Sequence, residues 1–311
     1  MSIPGNKNGF NEPAGFESGE NELGKVLQIL QAQLPNQNFF CLLDHLEKQA
    51  HQHVESLDRC RFYKTILEIE DFQKEQMILL KSSIVVCTIE KLVTQFVSHP
   101  DSMISLYRKG ICFVAIRLEG QSTGDALPVG LRDSYLAFLR AFCPFAIYKA
   151  GPYHSVSQLI DRLSSDPIPA IVVSRCDFVN PFPKKISPQT FSRGFVEREK
   201  GRDLCLITSG ITLTTASSVA ERCFSRDIRC GIIDLFRIKP MDEKLLYDAI
   251  SPYTFIATLE VHTLVGGLGS CILETLSRYG NSHAVIGFGI DGKGNVPDVD
   301  DIMETLAWKI W

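Results

Sequence analysis

Short apolar segments alternate with helical patterns along most of the chain, and this alternation limits the possible folds more than any other feature. Segments 83–88 and 110–116 are rich in Val, Ile and Phe, and a segment with helical periodicity comes after each of them. Strands that alternate with helices form parallel sheets covered on both faces. The pattern therefore predicts an α/β architecture.

The same pattern predicts individual elements in both halves of the chain. In the first half it predicts helices over 23–34, 73–81, 89–97, 131–142 and 155–164, and strands over 39–43, 83–88, 110–116, 145–149 and 170–174. In the second half it predicts strands over 204–208, 230–234, 254–258 and 284–288, and helices over 214–223, 243–250 and 269–278.

The chain of 311 residues is long enough for two domains, each with its own core. Residues 1–20 are rich in Gly, Asn, Glu and Pro and are expected to be a disordered tail. We predict a first domain over 21–176, a linker over 177–199 where three prolines interrupt the alternation, and a second domain over 200–311. Both domains are expected to be doubly wound α/β structures.

Composition excludes several classes of function. A formal net charge of −4 offers no electrostatic support for a nucleic-acid partner. The ten cysteines form no C-x-x-C pair, so we expect small buried thiols in a reducing compartment and no metal site. No apolar stretch is long enough to cross a membrane, and no secretory signal is evident. We therefore expect a cytoplasmic protein without membrane contacts.

An ordered series of motifs marks the second half. Gly201-Arg202-Asp203 precedes a strand, 232–242 reads Ile-Ile-Asp-Leu-Phe-Arg-Ile-Lys-Pro-Met-Asp, and 260–270 reads Glu-Val-His-Thr-Leu-Val-Gly-Gly-Leu-Gly-Ser. The series resembles the C-terminal domain of transketolase and of its relatives that use thiamine diphosphate. By the same resemblance, the first half is similar to the pyrimidine-binding domain of this family.

The glycines of the last motif permit close backbone approach at a helix start, where Ser270 can satisfy free N–H groups. Such a turn is either purely structural, which we favour, or an anion site. Glu260 and His262 are either an acid–base pair or, as we favour, a polar pair that anchors the loop. Asp242 is expected to cap the helix that follows Pro240.

The resemblance implies a subunit that works with a partner. Family members use three domains, and the domain that binds the diphosphate and its Mg²⁺ carries Gly-Asp-Gly followed by Asn, a pattern missing from this sequence. The chain is therefore most similar in size to the small subunit of a split transketolase. A diphosphate-binding partner subunit would complete the site, in a homodimer or heterotetramer. The β subunit of 2-oxoacid dehydrogenases and the end of 1-deoxyxylulose-5-phosphate synthase share this architecture.

The resemblance also points to a catalytic carboxylate. In the family a glutamate protonates the aminopyrimidine ring of thiamine diphosphate, from within an apolar cleft. Its surroundings resemble Arg-Phe-Phe-x-x-Gly-Ile-x-Glu-Gln, and this chain reads Arg-Phe-Tyr-Lys-Thr-Ile-Leu-Glu-Ile-Glu-Asp over 61–71. Direct alignment places Ile69 at the glutamate, whereas a one-residue deletion places Glu68 there. Glu68 is the candidate base, and a solvated acidic helix start is the alternative interpretation.

Other family positions are altered. Ile89 and Leu92 stand where aromatic residues stack on the pyrimidine, so these cofactor-binding positions lack an aromatic face. Gly130 stands where the family has a histidine at the end of a glycine-rich loop. Asp125 in that loop either contacts a polar substrate group or, as we favour, is only a surface residue of the loop. Arg175 ends the strand from which the family presents an arginine to a sugar phosphate.

These residues support two main hypotheses. The first is a divergent transketolase-like subunit that transfers a two-carbon ketol unit between sugar phosphates with thiamine diphosphate. The second is a catalytically inactive relative that binds or regulates a partner. A specialised synthase with an unusual substrate is a third hypothesis.

Overall fold

A computed structural model describes residues 22–34, 37–42, 60–63, 65–76, 83–117, 133–151, 154–165, 169–175, 186–280, 283–290 and 296–310. These residues form two sheets with helices packed against them, which confirms the predicted α/β class. The expected tail at 1–20 and the loop with Asp125 and Gly130 lie outside the described residues.

The first sheet has seven strands. They are β1 (Asn38–Leu42), β2 (Cys60–Tyr63), β3 (Ser83–Thr88), β4 (Cys112–Arg117), β5 (Ala146–Lys149), β6 (Ala170–Arg175) and β10 (Arg237–Lys239), in the spatial order β10-β5-β6-β4-β3-β1-β2. The first six run parallel, and β10 pairs with β5 antiparallel. The described helices of this half are α1 (Glu22–Gln33), α2 (Ile66–Gln76), α3 (Ile89–Ser98), α4 (Pro100–Arg108), α5 (Tyr135–Phe142) and α6 (Val156–Ser165).

The second sheet has five strands. They are β7 (Phe195–Glu199), β8 (Leu204–Thr208), β9 (Cys230–Leu235), β11 (Phe255–Leu259) and β12 (Val285–Phe288), in the order β12-β11-β8-β9-β7. All are parallel except β7, which runs antiparallel to β9 at the edge. The described helices of this half are α7 (Pro188–Arg193), α8 (Thr212–Phe224), α9 (Glu243–Ile250), α10 (Leu268–Arg278) and α11 (Val299–Ile310).

Strand β3 and helix α3 show how the local sequence produces these elements. Every residue of β3 is buried, because a central parallel strand is covered on both faces. Thr88 ends the strand and caps the helix, since its Oγ1 accepts a hydrogen bond from the Lys91 N–H at 3.2 Å. The inward face of α3 carries Ile89, Leu92, Val93, Gln95 and Phe96. Burial of each large apolar side chain contributes roughly 1.5–3 kcal/mol.

Several predicted boundaries differ from the structure. Part of the predicted linker is ordered: α7 lies within it, and β7 is an edge strand of the second sheet. A helix was expected over 73–81, but α2 already begins at Ile66 and ends at Gln76. The sequence analysis also missed β2, β10, α4 and α11. No helix among the described residues is both long and apolar enough to cross a lipid bilayer.

Replacement of Leu92 by alanine should destabilise the protein, because Leu92 is fully buried between the first sheet and its helices. We expect the free energy of unfolding in urea to fall by about 2–5 kcal/mol. Val97→Ala on the same helix is the control, since Val97 is 65% exposed, and it should change stability by less than about 0.5 kcal/mol. Equal effects of the two substitutions would contradict the described packing of α3.

Candidate functional site

The carboxyl ends of six parallel strands meet along one edge of the first sheet, where ligands of open α/β sheets usually bind. Glu68 lies just after β2, and Arg175 is the last residue of β6. Neighbouring strands are about 4.8 Å apart, so the four strand steps from β2 to β6 amount to roughly 19 Å. The fold therefore places both predicted residues along one edge, but not against each other.

Glu68 lies in the first turn of α2 and is exposed. Its N–H donates to Thr65 Oγ1 at 3.5 Å, and the preceding Ile66 N–H donates to the buried Gln95 Oε1 at 2.7 Å. These contacts fix the helix start. The alternative interpretation, an acidic helix start in solvent, describes the position of Glu68 in this chain, and its catalytic role stays a prediction.

Tyr63 at the end of β2 is influenced by the charge of this carboxylate. Burial raises the pKa of Tyr63, the Arg61 charge and hydrogen bond lower it, and the negative charge of Glu68 raises it again. Tyr63 also packs on Phe40, with the two ring centroids 5.9 Å apart. Sequence reasoning did not single out Tyr63, although it directly follows the Arg61-Phe62 pair of the motif.

Ile89 and Leu92 lie inside the core of the first domain, with exposures of 3% and 0%. Both side chains belong to the apolar cluster that includes Phe40, Val85 and Phe113. A stacked ring needs an accessible side-chain face, and the described chain offers none at these two positions. The structure therefore does not support the expected cofactor contact.

The structure describes the remaining predicted site residues, Arg175 and Asp125, only in part or not at all. Arg175 pairs in register with Arg117 on β4, so two arginines end adjacent strands, although the side chains of both are outside the description. Asp125 lies outside the described residues, and its substrate contact stays a prediction. Among the described side chains, no group of three His, Cys, Asp or Glu is placed to hold a metal ion.

A second polar cluster, which we call the junction network, lies where the two domains meet. It comprises Tyr135, Lys149, Glu260 and His262, all exposed by 6% or less. His262 Nε2 is 2.7 Å from Tyr135 Oη and 3.1 Å from Lys149 Nζ. A lysine ammonium can only donate, so Nε2 accepts and the ring proton is assigned to Nδ1, which faces Glu260 Oε2 at 3.6 Å.

Glu260 explains the glycine-rich turn. Its carboxylate accepts hydrogen bonds from the Leu268 N–H at 2.6 Å and the Gly269 N–H at 2.9 Å, and thereby caps α10. A Cβ at Gly267 would lie only 2.0 Å from Glu260 Oε2, so only glycine fits there. The two N–H groups that an anion would use are already occupied, and the favoured structural interpretation of the turn agrees with this geometry.

Arg140, His154 and Asp242 make further polar contacts. Arg140 donates to the carbonyls of Gly266 and Gly267 at 2.7 and 3.2 Å and pairs with Glu274. His154 Nδ1 lies 3.2 Å from Asp234 Oδ2. Asp242 caps α9 through the Leu245 N–H at 3.1 Å, as expected. Since the junction network is sealed from solvent, it positions the domains and offers no surface to a substrate.

Comparison with known proteins finds matches in the second half of the chain. Residues 193–290 match the family model "Transketolase, C-terminal domain". The chain is 34% identical over 108 residues to the 1-deoxy-D-xylulose-5-phosphate synthase of Aquifex aeolicus (strain VF5), which covers 35% of this chain and 17% of that enzyme. The synthase of Geobacillus sp. (strain WCH70) is 39% identical over 87 residues, 28% of this chain and 14% of the enzyme. The chain thus matches only a small part of these relatives.

Solved structures extend the likeness to both domains. A chain described as "Split gene transketolase, inactive beta4 tetramer" has a TM-score of 0.65 and 16% identity, over 92% of this chain and 96% of that one. A 2-oxoglutarate:ferredoxin oxidoreductase from Magnetococcus marinus has a TM-score of 0.63 and 12% identity, over 93% of this chain and 64% of that one. The whole described chain therefore has a transketolase-type fold.

Substitution of Glu260 by glutamine should destabilise the second domain. The NH₂ group of the glutamine amide would face the N–H of Leu268 or of Gly269, and two donors cannot form a hydrogen bond with each other. We expect a loss of about 1–3 kcal/mol in urea unfolding. Glu243→Gln is the control, because Glu243 is a partly exposed first-turn residue paired with Arg278. This substitution should lower the free energy of unfolding by less than about 1 kcal/mol.

The difference in stability between the wild type and Glu260→Gln should depend on pH. Burial raises the pKa of Glu260 above its ordinary 4.5, although the N–H groups of Gly269 and Leu268 lower it. The unfolded carboxyl therefore loses its proton first as the pH rises, and the contribution of Glu260 to stability falls above pH 4.5. The stability gap between wild type and Glu260→Gln should shrink with rising pH; a gap that widens would contradict the raised pKa.

Proposed function

We propose that this chain, whose residues 193–290 belong to the transketolase C-terminal family, is one subunit of a transketolase-type assembly. A partner with a diphosphate-binding domain would complete the assembly. The observation that carries this proposal is the extent of the likeness to a split transketolase chain, which runs through both domains and over 96% of that chain. A likeness limited to the C-terminal domain would not favour this role.

The reaction proposed for such an assembly is transfer of a two-carbon ketol unit between sugar phosphates, with thiamine diphosphate and Mg²⁺ held largely by the partner. Two features of this chain support a share in that reaction. Glu68 follows β2 and Arg175 ends β6, and the carboxyl ends of both strands lie along one sheet edge. Guanidinium groups such as those of Arg117 and Arg175 suit the phosphate of a sugar, because they can form two parallel hydrogen bonds.

The described residues nevertheless do not fit the pyrimidine ring of thiamine diphosphate. Ile89 and Leu92 are aliphatic and buried, so no ring face is available at the stacking positions. Glu68 is exposed, whereas a carboxylate that protonates the ring must sit in an apolar cleft.

This misfit favours a second candidate role, and of the two it is the one that the geometry supports better. In this role the chain is a non-catalytic subunit that binds or regulates its partner and contributes no group to the cofactor. The specific observation in its favour is the burial of Ile89 and Leu92 in the core, since core packing alone accounts for both residue types.

Assembly can be tested by mixing the purified chain with a diphosphate-binding subunit of a split transketolase. We expect a stable complex in size-exclusion chromatography with light scattering. Two separate peaks at micromolar concentrations of both proteins would contradict the proposed subunit role.

The two roles differ in their response to Glu68→Gln in that complex. A non-catalytic chain predicts unchanged ketol transfer and unchanged binding of thiamine diphosphate, measured by coupled assay and calorimetry. A catalytic Glu68 predicts a loss of transfer of about 10²–10⁴-fold. Glu90→Gln is the matched control, because Glu90 also lies in the first turn of a helix beside the same sheet edge.

A further inference from the structure

Four large apolar side chains are exposed around the place where α5, the loop 264–266 and α10 meet. Val265 is 84% exposed and Phe142 is 73% exposed, and Leu264 and Leu273 are exposed as well. We call these four residues the apolar patch. Single exposed apolar residues are ordinary on a soluble protein, whereas several of them on adjoining elements mark an interaction surface.

Packing and hydrogen bonds hold the three elements of the apolar patch side by side. Ser270, in the first turn of α10, donates its hydroxyl to the Leu264 carbonyl at 3.0 Å and accepts the Gly266 N–H at 2.9 Å. Gly266 in turn lies against α5, because a Cβ at this position would be 2.5 Å from Ala137 Cβ. Phe142 lies about 7.5 Å further along the axis of α5 than Ala137. The apolar patch is therefore a single continuous region of the surface.

The charges beside the apolar patch neutralise each other. Glu274 directly follows Leu273 on α10, and it pairs with Arg140 of α5 at 2.6 Å. The Arg140 guanidinium also donates to the carbonyls of Gly266 and Gly267, so its charge is used within the chain. A surface of this kind can face an identical surface without like-charge repulsion, and it offers an acidic or basic partner little to bind.

We propose that the apolar patch is the contact through which two copies of this chain form a two-fold symmetric dimer. In such a contact the same patch is buried on both copies, so apolar side chains of one copy meet those of the other. A standard interface buries roughly 800 Å² on each partner, a little over half of it apolar. The four side chains supply roughly 200–400 Å² of that apolar area, at the sizes typical of buried Phe, Leu and Val. This dimer forms from the chain alone, so it does not depend on the role proposed above.

Sedimentation velocity of the purified full chain tests this dimer in the absence of any other subunit. We expect a species of twice the chain mass at micromolar concentrations. Phe142→Glu and Val265→Glu should each raise the dissociation constant about 30-fold or more, because each places a buried charge from both copies in the contact. Both residues are exposed in the single chain, so the circular dichroism spectrum of each variant should stay that of the wild type.

Phe224→Glu is the matched control for these two variants. Phe224 is also 73% exposed, but it belongs to α8, which packs on the opposite face of the second sheet from α10. Its substitution should change the dissociation constant by no more than about twofold. A wild-type chain that stays monomeric at tens of micromolar would overturn the proposal. A dimer that survives both patch substitutions, or that dissociates equally with Phe224→Glu, would overturn it as well.

Discussion

The two domains are joined by strand β10, which leaves the second domain and extends the first sheet. Arg237 and Lys239 on β10 pair with β5, and the Lys149 N–H donates to the Phe236 carbonyl at 2.8 Å. Without β10, the edge of β5 would expose unpaired N–H and C=O groups. Lys239 Nζ also donates to two carbonyls near the end of α5, those of Arg140 and Cys143. Strand β10 therefore attaches the second half of the chain directly to the edge of the first sheet.

The junction network depends on that arrangement. Polar groups removed from water are stable only when their hydrogen bonds are satisfied, and Glu260 and His262 find partners partly within their own loop and partly on the first domain. The network thus couples the start of α10 to α5 and β5. Because the network is closed to solvent, it offers no surface to a ligand.

Local patterns predicted much of this fold. The bounds of β3 agree with the expectation from a continuous apolar run, and α3 differs from its expected end by one residue. The cap formed by Asp242 agrees with the expectation, whereas the cap that the Glu260 carboxylate forms was not predicted. Strand β10 was missed because three residues carry no usable periodicity, and its partner strand lies far away in the sequence. Strand β7 was missed because the prolines around it indicated a linker.

The sequence by itself determined the alternating α/β architecture and the absence of aromatic rings at Ile89 and Leu92, since both depend on local pattern and residue type. Only the tertiary structure decided that these two side chains are buried, that Glu68 is exposed, and that Lys149 meets His262 across 113 positions of the chain. The physical reason is that burial and long-range contacts depend on how sheets and helices pack, which periodicity does not specify.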